Sequence, residues 1–362
     1  LLCSIEACER ALGITPTPQS QILKRLTMYG LNIRDHALHL YLFVSPDLVG
    51  KDNFLSFDEN IPEEHEMLHD AFDIKAAGNH LAQLVAGRSV HALFPTIGGF
   101  IKIPTQETKQ PIIDELKKVR PAVLRLIKTF KECDWSFDRK TRYMGMSADH
   151  YSFLEGEIIS DDGQRITEED YHNHLEHVVI PYSQASGYMH DNESYMVGSL
   201  ARMNLSREKL HPQTQKDASD AIALFPSTNI YHNNLAQAIE TLHCVDDAIE
   251  LLEGNTFAKE EIPKPVFKEG TGIGVVEAPR GMLYHRVHIG DDGKVIDGDI
   301  VVPTGQNQIN IEEDLHTMIQ QMLDDGVEDK EKIQSELEKL IRAYDPCMSC
   351  ASHFLRLNWQ EL

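Results

Sequence analysis

The sequence predicts an α+β fold that is mostly helical. Long stretches show the apolar spacing of amphipathic helices, and two shorter regions alternate as β-strands do. Hydrophobic residues make up 41% of the 362-residue chain, which is enough for a sizeable core. Because no internal repeat or low-complexity tract marks a boundary, we expect residues 1–362 to form a single helix-rich domain with a few small sheets.

Apolar residues at helical spacing predict a series of long helices. Residues 12–44 are predicted to be helical, with an interruption near Pro16 and Pro18. Gly87 and Gly254 end two later stripes, and Pro346 follows the last one. These later stripes are Met67, Leu68, Ala71, Ile74, Leu81, Leu84 and Val85; residues 112–130, with Pro111 and Pro121 as helix starts or kinks; Leu235, Ile239, Leu242, Val245, Ile249 and Leu252; and Ile333, Leu337, Leu340, Ile341 and Tyr344.

Alternating residues predict strands in two regions, each with an Asp-Asp-Gly turn. The first is residues 151–159 with Ile166, around the turn at residues 161–163. The second is residues 273–278, 282–289 and 294–302, with a hairpin turn at residues 291–293.

The charge balance limits the choice of partner. Lys and Arg total 34 against 57 Asp and Glu, a net charge of −23, which argues against nucleic acid or an anionic membrane surface. No stretch approaches the roughly 20 apolar residues that span a bilayer, so no membrane span is expected.

The six cysteines are too few for a disulfide scaffold in so long a chain. Cys347 and Cys350 alone are close enough in sequence to form a local metal or redox motif. We expect the others to behave as buried small hydrophobic residues, and a reducing cytoplasm is the default location. They are Cys3, Cys8, Cys133 and Cys244.

The most informative stretch follows the last predicted helix and carries Cys347, Cys350 and His353. A C-x-x-C spacing places two thiolates within reach of one metal ion, and Asp345 next to it could hydrogen-bond to a ligand or relay a proton. By itself this pattern fits half of a zinc site, a thioredoxin-like redox pair or a chance spacing. No βαβ pattern surrounds it to support the redox pair.

The wider pattern Tyr344-Asp345-Pro346-Cys347-x-x-Cys350-x-x-His353 resembles the C-terminal ligand motif of nickel–iron hydrogenase large subunits. Further stretches resemble this family in the same order along essentially the whole chain. They are Arg34-Asp35-His36-Ala37-Leu38-His39-Leu40-Tyr41; Gly87-Arg88-Ser89-Val90-His91 with Pro95 and Gly98-Gly99-Phe100; Gly198-Ser199-Leu200-Ala201-Arg202-Met203-Asn204; and Glu277-Ala278-Pro279-Arg280-Gly281 followed by Val302-Pro303-Thr304 and Asn307. The resemblance implies the large-subunit fold, a central bundle of long helices with small β-sheets.

The resemblance also implies a metal centre. In this family nickel and iron share cysteine thiolates from both ends of the chain, and the iron carries carbon monoxide and cyanide. Cys347 would then be a terminal nickel ligand and Cys350 would bridge the two metals, since soft thiolates suit both. His353 would bind a magnesium or iron ion near the C-terminus. The implied reaction is the reversible heterolytic cleavage of H2.

The same resemblance implies roles for residues around the metals. Arg280 would lie over the open metal position, to hydrogen-bond a cyanide or to act as a base, with Asp35 and Asp345 around it. Because arginine is effectively always protonated, the thiolate of Cys347 is the easier proton acceptor.

Thr304 would offer a hydroxyl, and Pro303 an apolar wall, to the other cyanide. Each of these assignments has a plainer alternative: Asp35 as a helix-surface carboxylate, Arg280 as an ordinary turn residue and Thr304 as a strand-end hydroxyl. His36, His39 and His91 are expected to pack or hydrogen-bond rather than to bind metal.

The sequence departs from the family at its start. The family's first ligand motif, Arg-x-Cys-Gly-x-Cys-x-x-x-His, should precede Asp35 by several helical turns, but residues 3–8 contain no C-x-x-C. The ungapped placement sets Leu1 just after the expected His and puts Cys3 and Cys8 on the following helix as non-ligands. We therefore expect the first cysteine pair to lie upstream of this chain, and these 362 residues alone to hold no nickel–iron centre and to be inactive.

The sequence also departs at its end, because residues 354–362 follow His353, where mature family members usually end after a maturation protease has removed a tail. We expect this tail to keep the terminus out of the core until nickel arrives.

Electrons must leave through another chain, since this one has no iron–sulfur cysteines of its own. The resemblance implies an iron–sulfur small subunit, and the soluble cytoplasmic branch with NAD(P)-reducing diaphorase subunits is favoured. No G-x-G-x-x-G fingerprint is present, so this chain is not expected to bind the dinucleotide. The competing interpretations are a non-catalytic scaffold related to the quinone-site subunit of respiratory NADH dehydrogenase, against which Cys347 and Cys350 argue, and a zinc-binding structural protein.

Overall fold

The computed structural model describes residues 1–183 and 186–347, so Cys350, His353 and the tail 354–362 lie outside the described residues. Helices predominate. They are α1 Leu2–Ala11, α2 Pro18–Ala37, α3 Ser45–Val49, α4 Pro62–Ala86, α5 Gln106–Lys131, α6 Glu168–Tyr171, α7 Ser199–Ser206, α8 Pro212–Asp217, α9 Ser219–Ile222, α10 His232–Gly254, α11 Pro303–Asp324 and α12 Lys330–Ala343. The strands are β1 Pro95–Thr96, β2 Gly99–Phe100, β3 Arg142–Ser147, β4 Glu157–Ser160, β5 Arg165–Ile166, β6 Leu175–Val178, β7 Gly187–His190, β8 Tyr195–Met196, β9 Gly270–Ala278, β10 Gly281–Ile289 and β11 Val295–Val301.

The long helices α2, α4, α5 and α10 pack against one another and enclose the larger hydrophobic core. The α2–α4 contact is close because glycines meet there. A Cβ atom on Gly78 would lie 2.6 Å from the backbone nitrogen of Arg34, and one on Gly30 would lie 2.8 Å from that of Ala82. This close contact fixes the position of the C-terminal part of α2, which carries Asp35, against α4.

The predicted helix over residues 12–44 is confirmed only from Pro18 onward. Thr17 caps α2 by accepting a hydrogen bond from the backbone of Ser20, with Pro18 in the first turn, and residues 12–17 form a connection after α1. Beyond Ala37 the chain continues as a π-helix over Leu38–Val44, which the sequence pattern did not indicate.

The helix predicted around residues 112–130 begins earlier than Pro111. Thr105 and Thr108 form a reciprocal capping box, so α5 starts at Gln106 and runs through both Pro111 and Pro121. The cap and the apolar face buried against α4 and α10 outweigh the amide hydrogen bonds that the prolines cannot make. The helices predicted to end near Gly87, Gly254 and Pro346 are confirmed.

Strands β9, β10 and β11 form an antiparallel sheet with β10 in the centre, as the alternation predicted. Ala278 pairs with Gly281, so β9 and β10 are joined by a two-residue turn consisting of Pro279 and Arg280. The second turn, near Gly293, lies at the predicted place.

The strand predicted over residues 151–159 is wrong for most of its length. Only Glu157–Ser160 is a strand, paired with β3, which was not predicted. The hydroxyl of Ser152 accepts hydrogen bonds from the backbone of Leu154 and Glu155, so a local turn replaces the strand.

Thr304 is not the strand-end residue that one alternative described. Strand β11 ends at Val301, and α11 begins with Pro303 at its first position, so Thr304 lies in the first turn of a helix. In the part of the chain that the structure describes, no helix is long and apolar enough to cross a membrane.

The cysteines expected to be small hydrophobic residues are buried at Cys3 and Cys244 and half-buried at Cys8 and Cys133. Cys3 and Cys8 both lie on α1, and the thiol of Cys3 is directed at the carbonyl oxygens of Gly274 and Leu283.

Candidate metal centre

Arg280 projects from the two-residue turn between β9 and β10 toward the end of α12. Its Nε donates to the backbone oxygen of Asp345 at 2.9 Å and to Oδ1 of the same residue at 3.0 Å. Its Nη1 lies 4.0 Å from Oδ2 of Asp35 on α2. Three segments that are far apart in the sequence therefore meet at one guanidinium group.

The charges around Arg280 favour its protonated form. Burial alone would lower the pKa of this guanidinium, but the carboxylates of Asp345 and Asp35 and the thiolate form of Cys347 outweigh burial and raise it. The surroundings therefore act against Arg280 as a proton acceptor and favour it as a fixed cationic hydrogen-bond donor.

Asp345 is buried directly after α12 and adopts a left-handed backbone conformation, with φ of +52°. Its backbone nitrogen donates to the oxygen of Arg342 at 2.9 Å. Its second carboxylate oxygen accepts a hydrogen bond from Nε2 of Gln237 at 2.9 Å. Both carboxylate oxygens are thus held, one by Arg280 and the other by helix α10.

Asp35 is half-buried near the end of α2. Nε of Arg34 donates to its Oδ1 at 2.6 Å, while Nη1 of Arg34 contacts the carbonyl of Ser89. Arg34 therefore links Asp35 to the Gly87–His91 segment that the resemblance singled out, and Asp35 is not an isolated surface carboxylate.

Cys347 and Thr304 are in direct contact. The backbone nitrogen of Cys347 donates to Oγ1 of the buried Thr304 at 3.1 Å. Since the oxygen of Thr304 accepts this bond, its O–H remains available as a donor. The start of α11, with Pro303 and Thr304, thus lies against the chain segment that carries the thiol of Cys347.

A buried ionic network behind Arg280 holds the turn from which it projects. Arg202 on α7 donates to the carbonyls of Ala278 and Pro279 at 3.2 and 3.1 Å, the residues just before Arg280. It also pairs with Glu240 at 2.6 Å and with Glu277 at 2.8 Å. Arg202 belongs to one of the stretches that resemble the family, but the sequence indicated no role for it.

The electrostatics of this network follow from full burial. Burial alone would raise the pKa of Glu240, but the charge and hydrogen bonds of Arg202 and a hydrogen bond from His36 hold it below its usual range. For Glu277 burial dominates, and its pKa is raised despite Arg202. The network is therefore one guanidinium shared by two buried carboxyl groups that titrate differently.

Helix α10 supports both the Arg280 turn and the segment after α12 from one face. Asn233 donates to the backbone oxygen of Ala343 at 2.8 Å, Gln237 holds Asp345, and Glu240 holds Arg202. These positions are spaced at about one helical turn, so their side chains project in the same direction.

His36 and His39 hydrogen-bond as expected. His36 contacts Glu240 at 3.0 Å, and His39 lies 2.5 Å from Oε1 of Gln237 and 2.7 Å from the carbonyl of Arg342. The partners of both rings are thus residues of α10 or of the segment it supports.

The described part of the site fits a soft metal centre with anionic ligands. Cys347 provides a thiol, which as thiolate prefers nickel and iron over hard cations. Arg280 supplies a fixed positive charge and Thr304 a hydroxyl donor beside it. The remaining predicted ligands, Cys350 and His353, lie outside the described residues.

Comparisons with known proteins agree with this chemistry. A family model described as nickel-dependent hydrogenase matches residues 148–353. The chain is 31% identical over 361 residues to sulfhydrogenase 2 subunit alpha of Pyrococcus furiosus, covering 98% of this chain and 84% of that protein. It is 28% identical to NAD-reducing hydrogenase HoxS subunit beta of Cupriavidus necator, covering 95% of this chain and 78% of that protein.

The fold is similar to that of an NAD⁺-reducing NiFe hydrogenase solved in its H2-reduced state. The TM-score is 0.78 at 23% sequence identity, covering 97% of this chain and 84% of that one. The helix-rich α+β fold expected from the sequence is confirmed. The family match and the identity over nearly the whole chain show that this chain belongs to the nickel-dependent hydrogenase family, as the large subunit of a nickel–iron hydrogenase.

Proposed function

We propose that this chain provides the part of a hydrogenase active site where H2 is split heterolytically beneath Arg280. The observation that carries the proposal is the convergence of Arg280, Asp345 and Asp35 next to Cys347. When bound, the nickel–iron centre supplies the redox chemistry and accepts the electron pair of H2. The chain's own residues hold that centre, orient the reactants and take up the proton.

Cys347 and Cys350 would hold the nickel–iron centre through their thiolates. Thr304 would donate its hydroxyl to a cyanide on the iron, and Pro303 would exclude water from that side. His353 would bind magnesium or iron near the C-terminus. The contact between the Cys347 backbone and Thr304 supports this arrangement, because it brings the start of α11 to the thiol segment.

The thiolate of Cys347 is the first proton acceptor in this proposal. Arg280 remains protonated throughout, because Asp345 and Asp35 raise its pKa. Its task is to stabilise negative charge at the reacting position through a preorganised hydrogen bond, and the two carboxylates hold its orientation.

The electrons pass to an iron–sulfur small subunit, and NAD(P)-reducing diaphorase subunits are the acceptors we favour. The support is that one relative carries the name NAD-reducing hydrogenase and that several are named as subunits of larger enzymes. Such an enzyme would work in the cytoplasm. A maturation protease would act on the tail at residues 354–362.

The 362 residues contain one C-x-x-C pair, Cys347 and Cys350, whereas the family pattern needs thiolates from a second pair. We therefore expect this chain alone to retain no stoichiometric nickel and to be inactive. Nickel determination by mass spectrometry after gel filtration tests this, and about one nickel per chain would contradict it.

The test of the catalytic proposal is Arg280→Lys in the assembled, metal-loaded hydrogenase. Lysine keeps the charge but loses the planar fork, so H2-dependent electron transfer should fall on the order of 100-fold with nickel content unchanged. The matched control is Arg286→Lys on β10, whose guanidinium pairs with Asp297 at 2.8 Å and is not part of this cluster. Full activity of Arg280→Lys would refute the role.

A further inference from the structure

A second cluster of ligating side chains lies at the turn that follows β7. His174, His190 and Asp191 each offer one ligand atom, and these atoms all lie within 4.8 Å of one another. Nδ1 of His174 is 3.1 Å from Oδ1 of Asp191, and Nδ1 of His190 is 3.5 Å from Oδ2 of the same carboxylate. One carboxylate thus faces two imidazole nitrogens, one on each oxygen.

The backbone holds these three residues in place. His190 and Glu193 exchange both backbone hydrogen bonds, at 2.9 and 3.1 Å, and close a tight turn. Asp191 and Asn192 in that turn have φ of +49° and +63°, a conformation that Asp and Asn adopt more readily than most residues. The backbone nitrogen of Asp191 donates to the carbonyl of His174 at 3.0 Å.

The spacing of the two rings suits a shared metal ion. The ring centroids of His174 and His190 are 5.4 Å apart. Two imidazoles bound to one tetrahedral Zn²⁺ at about 2.1 Å have ring centres separated by roughly 5.3 Å. The spacing of the two rings is therefore close to the one that metal binding requires, and the stacked rings, whose planes are 11° apart, need side-chain rotation to direct both nitrogens at one ion.

The tautomer of the buried His190 ring also suits a ligand. Arg142 donates to Nδ1 at 3.2 Å, which makes Nδ1 the acceptor and leaves the proton on Nε2, a buried atom with no hydrogen-bond partner. Nδ1 therefore carries a lone pair, with Nη1 of Arg142 at 3.2 Å and Oδ2 of Asp191 at 3.5 Å.

Arg142 competes for that lone pair, but it is anchored elsewhere. Its Nη2 pairs with Asp162 at 2.8 Å and with Glu193 at 3.1 Å, and its Nη1 also reaches the carbonyl of His190 at 3.4 Å. Arg142 can give up Nδ1 and keep these partners. With Asp191, three carboxylates and one arginine give the cluster a formal charge of −2, which favours a divalent cation.

We propose that His174, His190 and Asp191 bind a divalent transition-metal ion, with Zn²⁺ as the best match. Two imidazoles and one carboxylate form a borderline donor set that suits zinc and leave a fourth position for water. The ion would hold the two strands of the β6–β7 hairpin together at one end, because His174 directly precedes β6 and His190 ends β7. This site is separate from the cysteine centre.

The test is equilibrium dialysis of the full chain against ZnCl2. Cys347→Ser and Cys350→Ser are introduced first, so that thiolates do not take up zinc. We expect about one zinc per chain. His174→Ala removes one of the three ligands. It should weaken zinc binding more than tenfold, because even the loss of a ligand's hydrogen-bond partner weakens metal binding roughly tenfold.

Two further variants complete the design. Asp191→Asn keeps a residue that tolerates the left-handed turn but removes the charge, and it should also lose zinc. His80→Ala, at an exposed histidine that pairs with Glu115 at 2.9 Å, should bind zinc like the parent. The proposal is overturned if the parent binds no zinc, or if both ligand variants retain its affinity while circular dichroism shows them folded.

Discussion

Gln237 and Asp345 are joined by a hydrogen bond of 2.9 Å between Nε2 and Oδ2, which connects the buried helix α10 to the segment that carries Cys347. Asp345 contacts Arg280 through its other oxygen at 3.0 Å. A residue of the helical core therefore holds the orientation of the carboxylate that orients the guanidinium.

We predict that Gln237→Leu reduces H2-dependent activity by about tenfold or more in the assembled enzyme. The change removes the hydrogen bond to the buried Asp345 carboxylate, which is worth roughly 1.5–3 kcal/mol for a charged partner, and also the contact with Nδ1 of His39. Nickel content should stay at the parental level. Gln213→Leu is the control, because it removes a similar amide–carboxylate bond, to Asp217 at 2.8 Å, at the surface. Parental activity in Gln237→Leu would show that Asp345 needs no such support.

The bond between Thr304 and the backbone of Cys347 predicts a difference in thiol reactivity. Thr304→Val leaves that backbone nitrogen without its acceptor, a loss of about 1 kcal/mol that should open the segment about five times more often. Alkylation of Cys347 in the metal-free chain, followed by peptide mass spectrometry, should be faster by that factor. Thr304→Ser keeps the hydroxyl and should react like the parent, and equal rates in all three proteins would contradict the prediction.

The close contact of α2 and α4 predicts a stability effect at Gly78. A Cβ there would lie 2.6 Å from a backbone atom of Arg34, so Gly78→Ala must push the helices apart. We expect the free energy of unfolding to fall by about 1–3 kcal/mol in urea titrations. A Cβ on Gly254 would meet nothing within 4 Å, so Gly254→Ala should be neutral or slightly stabilising. Similar values for the two variants would argue against the contact.

Because of His243, we predict that the free energy of unfolding decreases in mild acid. Burial lowers its pKa from 6.5 to about 4, so the unfolded chain binds a proton between these values that the folded chain does not. Stability therefore rises with pH through this window, and at pH 5 the folded state loses about 2 kcal/mol through this group relative to pH 7.

The measurement is urea unfolding of the parent and of His243→Gln at pH 7 and pH 5. Between pH 7 and pH 5 the free energy of unfolding of His243→Gln should fall by about 2 kcal/mol less than that of the parent. His80→Asn, at an exposed ring, should follow the parent. A variant with the same pH dependence as the parent would assign the acid sensitivity to other groups.

Much of the fold could be predicted because long helices record their buried face in their apolar spacing. The stripes of α4, α10 and α12 and the β9–β11 meander were found in this way. Segments whose structure depends on other interactions were not predicted. The turn at Ser152 depends on a side-chain hydroxyl, and α11, which begins at Pro303, was not predicted to follow the strand expected over residues 294–302.

Only those residues of the site that belong to recognisable sequence motifs could be predicted. Arg280, Asp345 and Thr304 were named from the resemblance, and the structure brings them to the same end of the molecule as Cys347. No supporting role was predicted for Arg202 or Gln237, because a polar residue on the buried side of a helix has no signature until its partner is known. Those partners come from segments far away in the sequence, and only folding joins them.

The turn between β9 and β10 consists of two residues. Ala278 pairs with Gly281, and Pro279 and Arg280 alone cross from one strand to the other. Inserting or deleting a single amino acid at this tip would swing the guanidinium away from Asp345 or reverse the faces of the following strand. Natural variation of length should therefore be tolerated at the opposite hairpin, around Gly293, and selected against at this one.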